Sequence, residues 1–221
     1  MPTILNRRFF PGWLLLLTCL FSYPVLATNS DVAKEARWAE QVIEGLLDGD
    51  EAWLDDGNGH EFLGIFSEPD NAGERAVILV HGIGVHPNWP DVIYPLRDAL
   101  LRHEVTSLSV QMPVLANDAD SLDYAPLFDE VASRLDAAIV YLKDAGYKNI
   151  AIVSHSMGSS MVAHYLSGDY LQPISSWVAI GMGPGIANTS VDNLAALESI
   201  SLPILDLYGS VDLEQVLLVA V

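Results

Sequence analysis

Ser156 stands in the run Ser154-His155-Ser156-Met157-Gly158, directly after an apolar β-type stretch and directly before a helix-forming one. A single hydroxyl at the apex of a sharp strand-to-helix turn is the arrangement of a nucleophile. Such an apex is held in a strained backbone conformation, and bulky flanking residues would collide. The spacing is that of G-x-S-x-G, with Ser154 in place of the first glycine. Gly158 keeps the second, where strand and helix approach most closely. The helix start behind the serine presents free N–H groups to developing negative charge, and the Met157 amide is the expected oxyanion donor. The chemistry this suits is acyl transfer through a covalent intermediate. A plainer reading, in which Ser156 only caps a helix, uses the same residue type. The neighbouring motifs argue against it.

The first of these is His81-Gly82-Ile83-Gly84, which closes another apolar run. Gly82 and Gly84 let the backbone turn inward toward a reacting carbonyl, and the Ile83 N–H is the second expected donor. His81 reads as a positioned structural residue rather than a base. The second motif is Gly209-Ser210-Val211-Asp212, which follows the last apolar run. Asp212 is the expected acid that orients an imidazole. Asp206 is its rival, and Asp192 suits a helix cap. Trp89 and Pro90 suit core packing better than the lining of an acyl pocket. Residues 181–190 follow a strand at the same edge, with Met182 as a candidate wall, and the site is expected to be open and shallow.

The expected order is serine, acid, histidine. The six histidines are at 60, 81, 86, 103, 155 and 164, and none follows Asp212. His155 neighbours the nucleophile on a turn that should aim it elsewhere, and His86 follows the glycine loop. The expectation is therefore a chain incomplete at its C-terminus, whose base, last helix and last strand lie beyond Val221, leaving an exposed sheet edge prone to aggregation.

These motifs need elements to hold them. Residues 31–50 have helical apolar spacing with Gly49 beyond, and residues 51–66 read as a hairpin around Asp56-Gly57-Asn58-Gly59. Continuous or alternating apolar runs at 76–80, 105–112, 149–154, 175–183 and 202–209 read as strands. Helical patterns at 91–103, 125–146, 158–168 and 190–200 separate them, and residues 213–221 begin another. Strands alternating with helices predict an α/β fold. Its sheet is mainly parallel and covered on both faces, with an antiparallel N-terminal hairpin and no large lid.

The chain has 221 residues and a formal net charge of −19. Arg7 and Arg8, an apolar run of about 15 residues and Val25-Leu26-Ala27 predict a signal peptide over residues 1–27. The apolar run is shorter than the ~20 residues of a membrane span. No stable membrane insertion is expected after cleavage. Residues 28–221 are then one domain, where eight cations face 29 acids, a balance of −21. Such a surface repels phosphate backbones and argues against a nucleic-acid partner. The one cysteine, Cys19, leaves with the leader, so the domain has no disulfide, thiolate nucleophile or cysteine metal site. Thr18 stands where a lipoprotein signal wants a small residue. Export without disulfides suits a bacterial periplasm or medium. No metal or cofactor is implied, and nothing indicates the oligomeric state.

Together, these motifs give a chain that resembles the alpha/beta-hydrolase superfamily, and within it a bacterial family of exported hydrolase-like proteins of unknown function. The resemblance spans about residues 35–218 and is carried by residues 52–66, 81–100, 106–114, 149–166 and 205–213. It implies a serine hydrolase acting on a small ester-type substrate through an acyl-enzyme, with Ser156 and Asp212 catalytic. Ile83 and Met157 form the oxyanion hole, and His81, Gly82, Gly84 and Gly158 support it. The alternatives are a non-catalytic envelope or binding module on the same scaffold, and a cofactor-free lyase or dioxygenase.

Overall fold

The computed structural model describes residues 30–168 and 173–217. The leader expected over residues 1–27, with Cys19, lies outside them, as do residues 218–221.

Among the described residues, seven strands form one sheet in the order β1-β2-β4-β3-β5-β6-β7. The N-terminal hairpin pairs β1 (Asp50–Asp55) with β2 (Glu61–Ser67), and β2 runs antiparallel to β4 (Thr106–Val110) as well. From β4 onward, β3 (Arg75–Val80), β5 (Asn149–His155), β6 (Ser176–Ile180) and β7 (Ile204–Leu207) are all parallel. Parallel neighbours need long crossovers. These are α2 (Ile93–Arg102), α3 (Val131–Asp144), α4 (Met157–Ser167) and α5 (Asn193–Ser199). The architecture is the α/β sheet that the alternating pattern predicts.

Alternation along the strands sorts the helices into two layers. Phe62, Ile78, Leu108, Ile152 and Trp177 pack with Leu135 and Ile139 of α3 and Met161 and Val162 of α4. On the other face, Leu63 and Ile65 pack with Ala39 and Val42 of α1 (Val32–Glu44). α2 shares that face, where its Arg97 donates to Ser67 Oγ. Cover is complete over the centre of the sheet, and Ile78, Leu79 and Val80 have no exposure. It thins at β7, where Leu205 and Leu207, aligned with Val178 and Ile180 of β6, are 57% and 50% exposed.

One expected helix differs in detail. The segment predicted helical from residue 125 begins as a 3-10 turn over Ala125–Glu130 and becomes α-helical at Val131. Pro126 has no N–H to contribute to an opening α-turn, and the preceding Tyr124 is fixed by its hydroxyl, which accepts the Leu115 amide at 3.0 Å. The short α6 (Glu214–Leu217) begins the helical run seen at 213–221.

An ion cluster staples α1 to α3. The buried Arg134 guanidinium donates to both carboxylate oxygens of Glu35 (2.8 and 3.1 Å), to the Gln111 carbonyl and to Ser30 Oγ, with Glu130 at 3.4 Å. His60 from the hairpin adds its Nε2 to Glu35 at 3.0 Å. Removing one partner of such a cluster strands the other charges in low dielectric. Arg134→Met is therefore expected to cost roughly 3–5 kcal/mol, read as a lower urea midpoint with an unchanged slope.

Candidate active site

β5 delivers its chain to the carboxyl edge of the sheet and stops at His155. Ser156 then takes φ 54°, ψ −125°, a left-handed conformation rare for a residue with a Cβ, and α4 starts at Met157. The turn is clamped from both sides: the Ser156 N–H donates to the Ile180 carbonyl of β6 at 2.8 Å, and its carbonyl accepts the Ser159 N–H at 2.8 Å. The Ser156 side chain makes no capping hydrogen bond, so the hydroxyl is not spent on the helix. As the first residues of α4, Met157 and Gly158 have N–H groups without partners inside the helix.

Gly158 allows this turn to exist. A Cβ there would lie 2.3 Å from the His81 carbonyl oxygen and 2.9 Å from that of Val80. Both are backbone atoms of the neighbouring strand and cannot step aside. Gly158→Ala is expected to cost roughly 3 kcal/mol or more, seen as a melting-temperature loss several-fold larger than that of Ser167→Ala on the exposed end of the same helix.

The glycine loop closes on the same point. A Cβ at Gly82 would lie 3.2 Å from the Ser156 Cβ, so the loop rests against the serine, and Gly84 takes φ +67°. Ile83, Ser156 and Met157 line one cleft of about 760 Å³. The expected nucleophile and both expected donor residues are therefore brought together. His81 and Gly158 lie behind them, as supports rather than walls.

His81 is buried, and both of its ring nitrogens are engaged. Nε2 accepts the Met112 amide at 2.9 Å, with the Gln111 side-chain amide at 3.1 Å. The proton therefore sits on Nδ1, which donates to the Gly82 carbonyl at 2.8 Å. The ring is a strut between the glycine loop and the end of β4. Burial, only partly offset by the Gly82 carbonyl, pushes its pKa from 6.5 down to about 4. An unfolded chain then binds more protons than the folded one between those values, so stability falls as pH drops from 6.5 to about 4. The loss reaches roughly 3 kcal/mol. Urea unfolding at pH 7 and pH 4.5 should show it, and His81→Asn should remove this part of the acid sensitivity.

Asp212 follows β7 at the same sheet edge. Its carboxylate accepts the N–H groups of Gly209 (3.1 Å) and Leu213 (2.8 Å). These bonds, with a smaller contribution from His155, hold it below the usual carboxylate range. It sits beside Gly181 rather than on the cleft wall. His155 is the imidazole it influences, and burial lowers the His155 pKa against that pull. The rival Asp206 lies within β7, one residue before its end.

The remaining histidines lie elsewhere. His86 packs edge-on to Trp38 and Trp89, with centroids 5.5 and 5.6 Å away, and its Nδ1 accepts the Asn88 amide. His60 joins Glu35, His103 ends α2, and His164 meets the edge of Phe128. Among the described residues, no histidine is hydrogen-bonded to the Ser156 hydroxyl.

The pocket differs from the sequence expectation at Met182. Trp89 and Pro90 do not line the cleft, because Trp89 is drawn into the stack with His86. Met182 is buried in the core and forms no wall. The wall is the following loop, residues 183–192, closed by a bridge between Gly185 and Asp192 and by the Ile186 N–H to the Val191 carbonyl at 2.8 Å. With this wall the cleft is open yet more than a shallow dish.

Asn193 is the residue that sequence reasoning missed. Buried, it donates from Nδ2 to Ser160 Oγ (2.8 Å) and the Gly183 carbonyl (2.7 Å), and from its backbone to the Pro184 carbonyl (3.0 Å). It pins the wall loop to α4. A polar residue inside an amphipathic stretch was the available signal, masked by the neighbouring cap. Asp192 does cap α5, accepting the Ala195 amide at 3.1 Å. Among the described residues, no group of three His, Cys, Asp or Glu is placed to hold a metal ion. No helix there is long and apolar enough to cross a membrane.

The profile of the Alpha/beta hydrolase family matches residues 77–216, and the chain belongs to that family. A second profile, described as "Protein of unknown function (DUF3530)", matches residues 24–127. No curated protein matches the chain. Among solved structures, an esterase of Pyrococcus furiosus is similar at a TM-score of 0.59 and 17% identity, covering 72% of this chain and 69% of its own. A cold-adapted esterase from an Arctic intertidal metagenomic library gives 0.59 and 17%, covering 76% of each. A dienelactone hydrolase of Anabaena variabilis gives 0.56 and 19%, covering 74% of each. At these identities the likeness is one of fold.

Proposed function

We propose that the chain is an exported serine hydrolase that cleaves an ester-type bond of a small molecule through an acyl-enzyme. The observation that carries the reading is the Ser156 hydroxyl. It is raised on a strained turn, unused by the helix it precedes, and opens into a cleft shared with Ile83 and Met157. In the reaction Ser156 Oγ bonds to the carbonyl carbon, and its proton passes to a base. The carbonyl oxygen takes the negative charge and is held by the Ile83 and Met157 N–H groups. Collapse expels the alcohol, which takes that proton, and water then releases the acyl group. Asp212, ionised by its two backbone bonds, is suited to orient an imidazole and to stabilise its charged form. The esterases among the solved structures with this fold agree with such chemistry. Export rests on the leader pattern at residues 1–27.

One observation favours a second reading, a non-catalytic binding module: no histidine among the described residues is hydrogen-bonded to Ser156. A fluorophosphonate probe separates the two. Serine hydrolysis predicts labelling at Ser156, lost in Ser156→Ala. It also predicts that added imidazole, small enough for the cleft, raises ester turnover roughly tenfold or more. That gain should follow the titration of imidazole and vanish in Ser156→Ala. A folded chain that takes no label, with or without imidazole, overturns the serine-hydrolase reading.

A further inference from the structure

The charges around the cleft are of one sign. Asp192 is the single charged residue among those lining it. Ser121 also lines it, in a segment that carries Asp118, Asp120 and Asp123, all exposed. Asp212 sits at the same edge, held ionised by the Gly209 and Leu213 amides. Residues 149–221, which supply the nucleophile, the wall loop and the acid, contain no lysine or arginine.

Six of the eight cations of residues 28–221 are at the far side or already neutralised; the other two, Lys34 and Arg37, lie on α1 beside Ala116 and Asn117, and neither lines the cleft. Arg97 and Arg134 are buried against Asp48 and Glu35. Arg75 opens β3, Lys148 directly precedes β5 and pairs with Glu74, and Arg102 and Lys143 lie in the last turns of α2 and α3. All four mark the amino edge of the parallel strands, whereas the cleft is at the carboxyl edge. A six-residue strand separates the edges, and at about 3.3 Å per residue that is ~20 Å. The screening length is about 8 Å at physiological ionic strength. These four cations therefore cannot offset the field at the cleft, and Lys34 turns its ammonium to the Leu115 carbonyl at 2.6 Å. His81 and His155, both with lowered pKa, add no positive charge near neutral pH.

The geometry points to substrate selection by charge: the Ser156 cleft takes esters that are uncharged or carry a cationic group and turns away those with a carboxylate, sulfonate or phosphate. This rests on the reading of Ser156 as the nucleophile and names its substrate class. A cation entering the cleft gains attraction from Asp192 and from the acids around Ser121. An anion meets repulsion from both and finds no guanidinium or ammonium among the lining residues.

The test uses the whole chain with Cys19→Ser, carrying either Leu213→Cys at the cleft or Ala145→Cys at the amino edge. Each thiolate is reacted with a trimethylammonium-bearing and a sulfonate-bearing methanethiosulfonate, forming a mixed disulfide and releasing methanesulfinate. The cation-to-anion rate ratio at the cleft, divided by that at residue 145, is expected to be about tenfold or more at low salt. It should fall toward one at high salt and shrink severalfold with Asp192→Asn. Fluorophosphonates with cationic, neutral and carboxylate tails run in parallel at Ser156 and should label in that order. A normalised thiol ratio near one, or equal labelling by all three tails, overturns charge selection. Labelling by none, with the thiol ratio above ten, leaves the cleft's charge preference standing and removes the hydrolase reading instead.

Discussion

The contact between Gly158 and the backbone of β3 sets the geometry of everything near the cleft. Two strands, a glycine loop and a helix meet where the carbonyl oxygens of Val80 and His81 press on a carbon bearing no side chain. Because α4 can approach β3 that closely, the chain must reverse within a single residue, and that residue is Ser156. Its positive φ is thus a consequence of packing, held by bonds to Ile180 and Ser159 rather than by any preference of serine. Strain of this kind persists only where the surroundings over-determine it. Here they do so on three sides: β6 fixes the entry, α4 fixes the exit, and Gly82 lies against the serine's own Cβ.

A second layer of constraint acts through neutral polar groups. His81 spans from the Gly82 carbonyl to the Met112 amide, and Asn193 spans from Ser160 to the Gly183 carbonyl. Each fastens a cleft-forming loop to a rigid element with bonds that need no charge. Uncharged struts suit a region whose field is already one-sided, since a buried ion there would require its own counterion.

The strand and helix order was legible because each element carries its own period: continuous apolar runs for the buried β3 and β5, 3.6-residue spacing for α1 and α3. The site's centre was legible for a related reason. Ser156, Gly158, Gly82 and Gly84 are local necessities of backbone shape, and shape leaves a mark on neighbouring residue types. Partnerships between distant residues were not legible. Nothing in the sequence pairs Glu35 with Arg134, 99 positions apart, or aims Trp89 at His86. The sequence places the loop after β6 at the cleft correctly but misassigns Met182 as its wall residue. Side-chain direction after a strand depends on the first loop residue, and Gly181 takes a positive φ that no periodicity reports.

The family profile begins at residue 77, inside β3, yet the folding unit begins earlier. Glu35 on α1 and Ser30 before it supply partners for a guanidinium on α3, and the hairpin adds His60 to the same cluster. A truncation made at the boundary of sequence similarity would leave that guanidinium inside the protein without its principal counterion. It would also remove β2, the antiparallel partner of β4, and leave that strand's edge unpaired. Residues 30–76, which the alpha/beta hydrolase profile does not reach, are thus the portion the rest cannot be separated from. The part that carries the alpha/beta hydrolase profile depends on a partner outside that profile, so exchanging modules with other members of the fold would require α1 and the hairpin to travel with it.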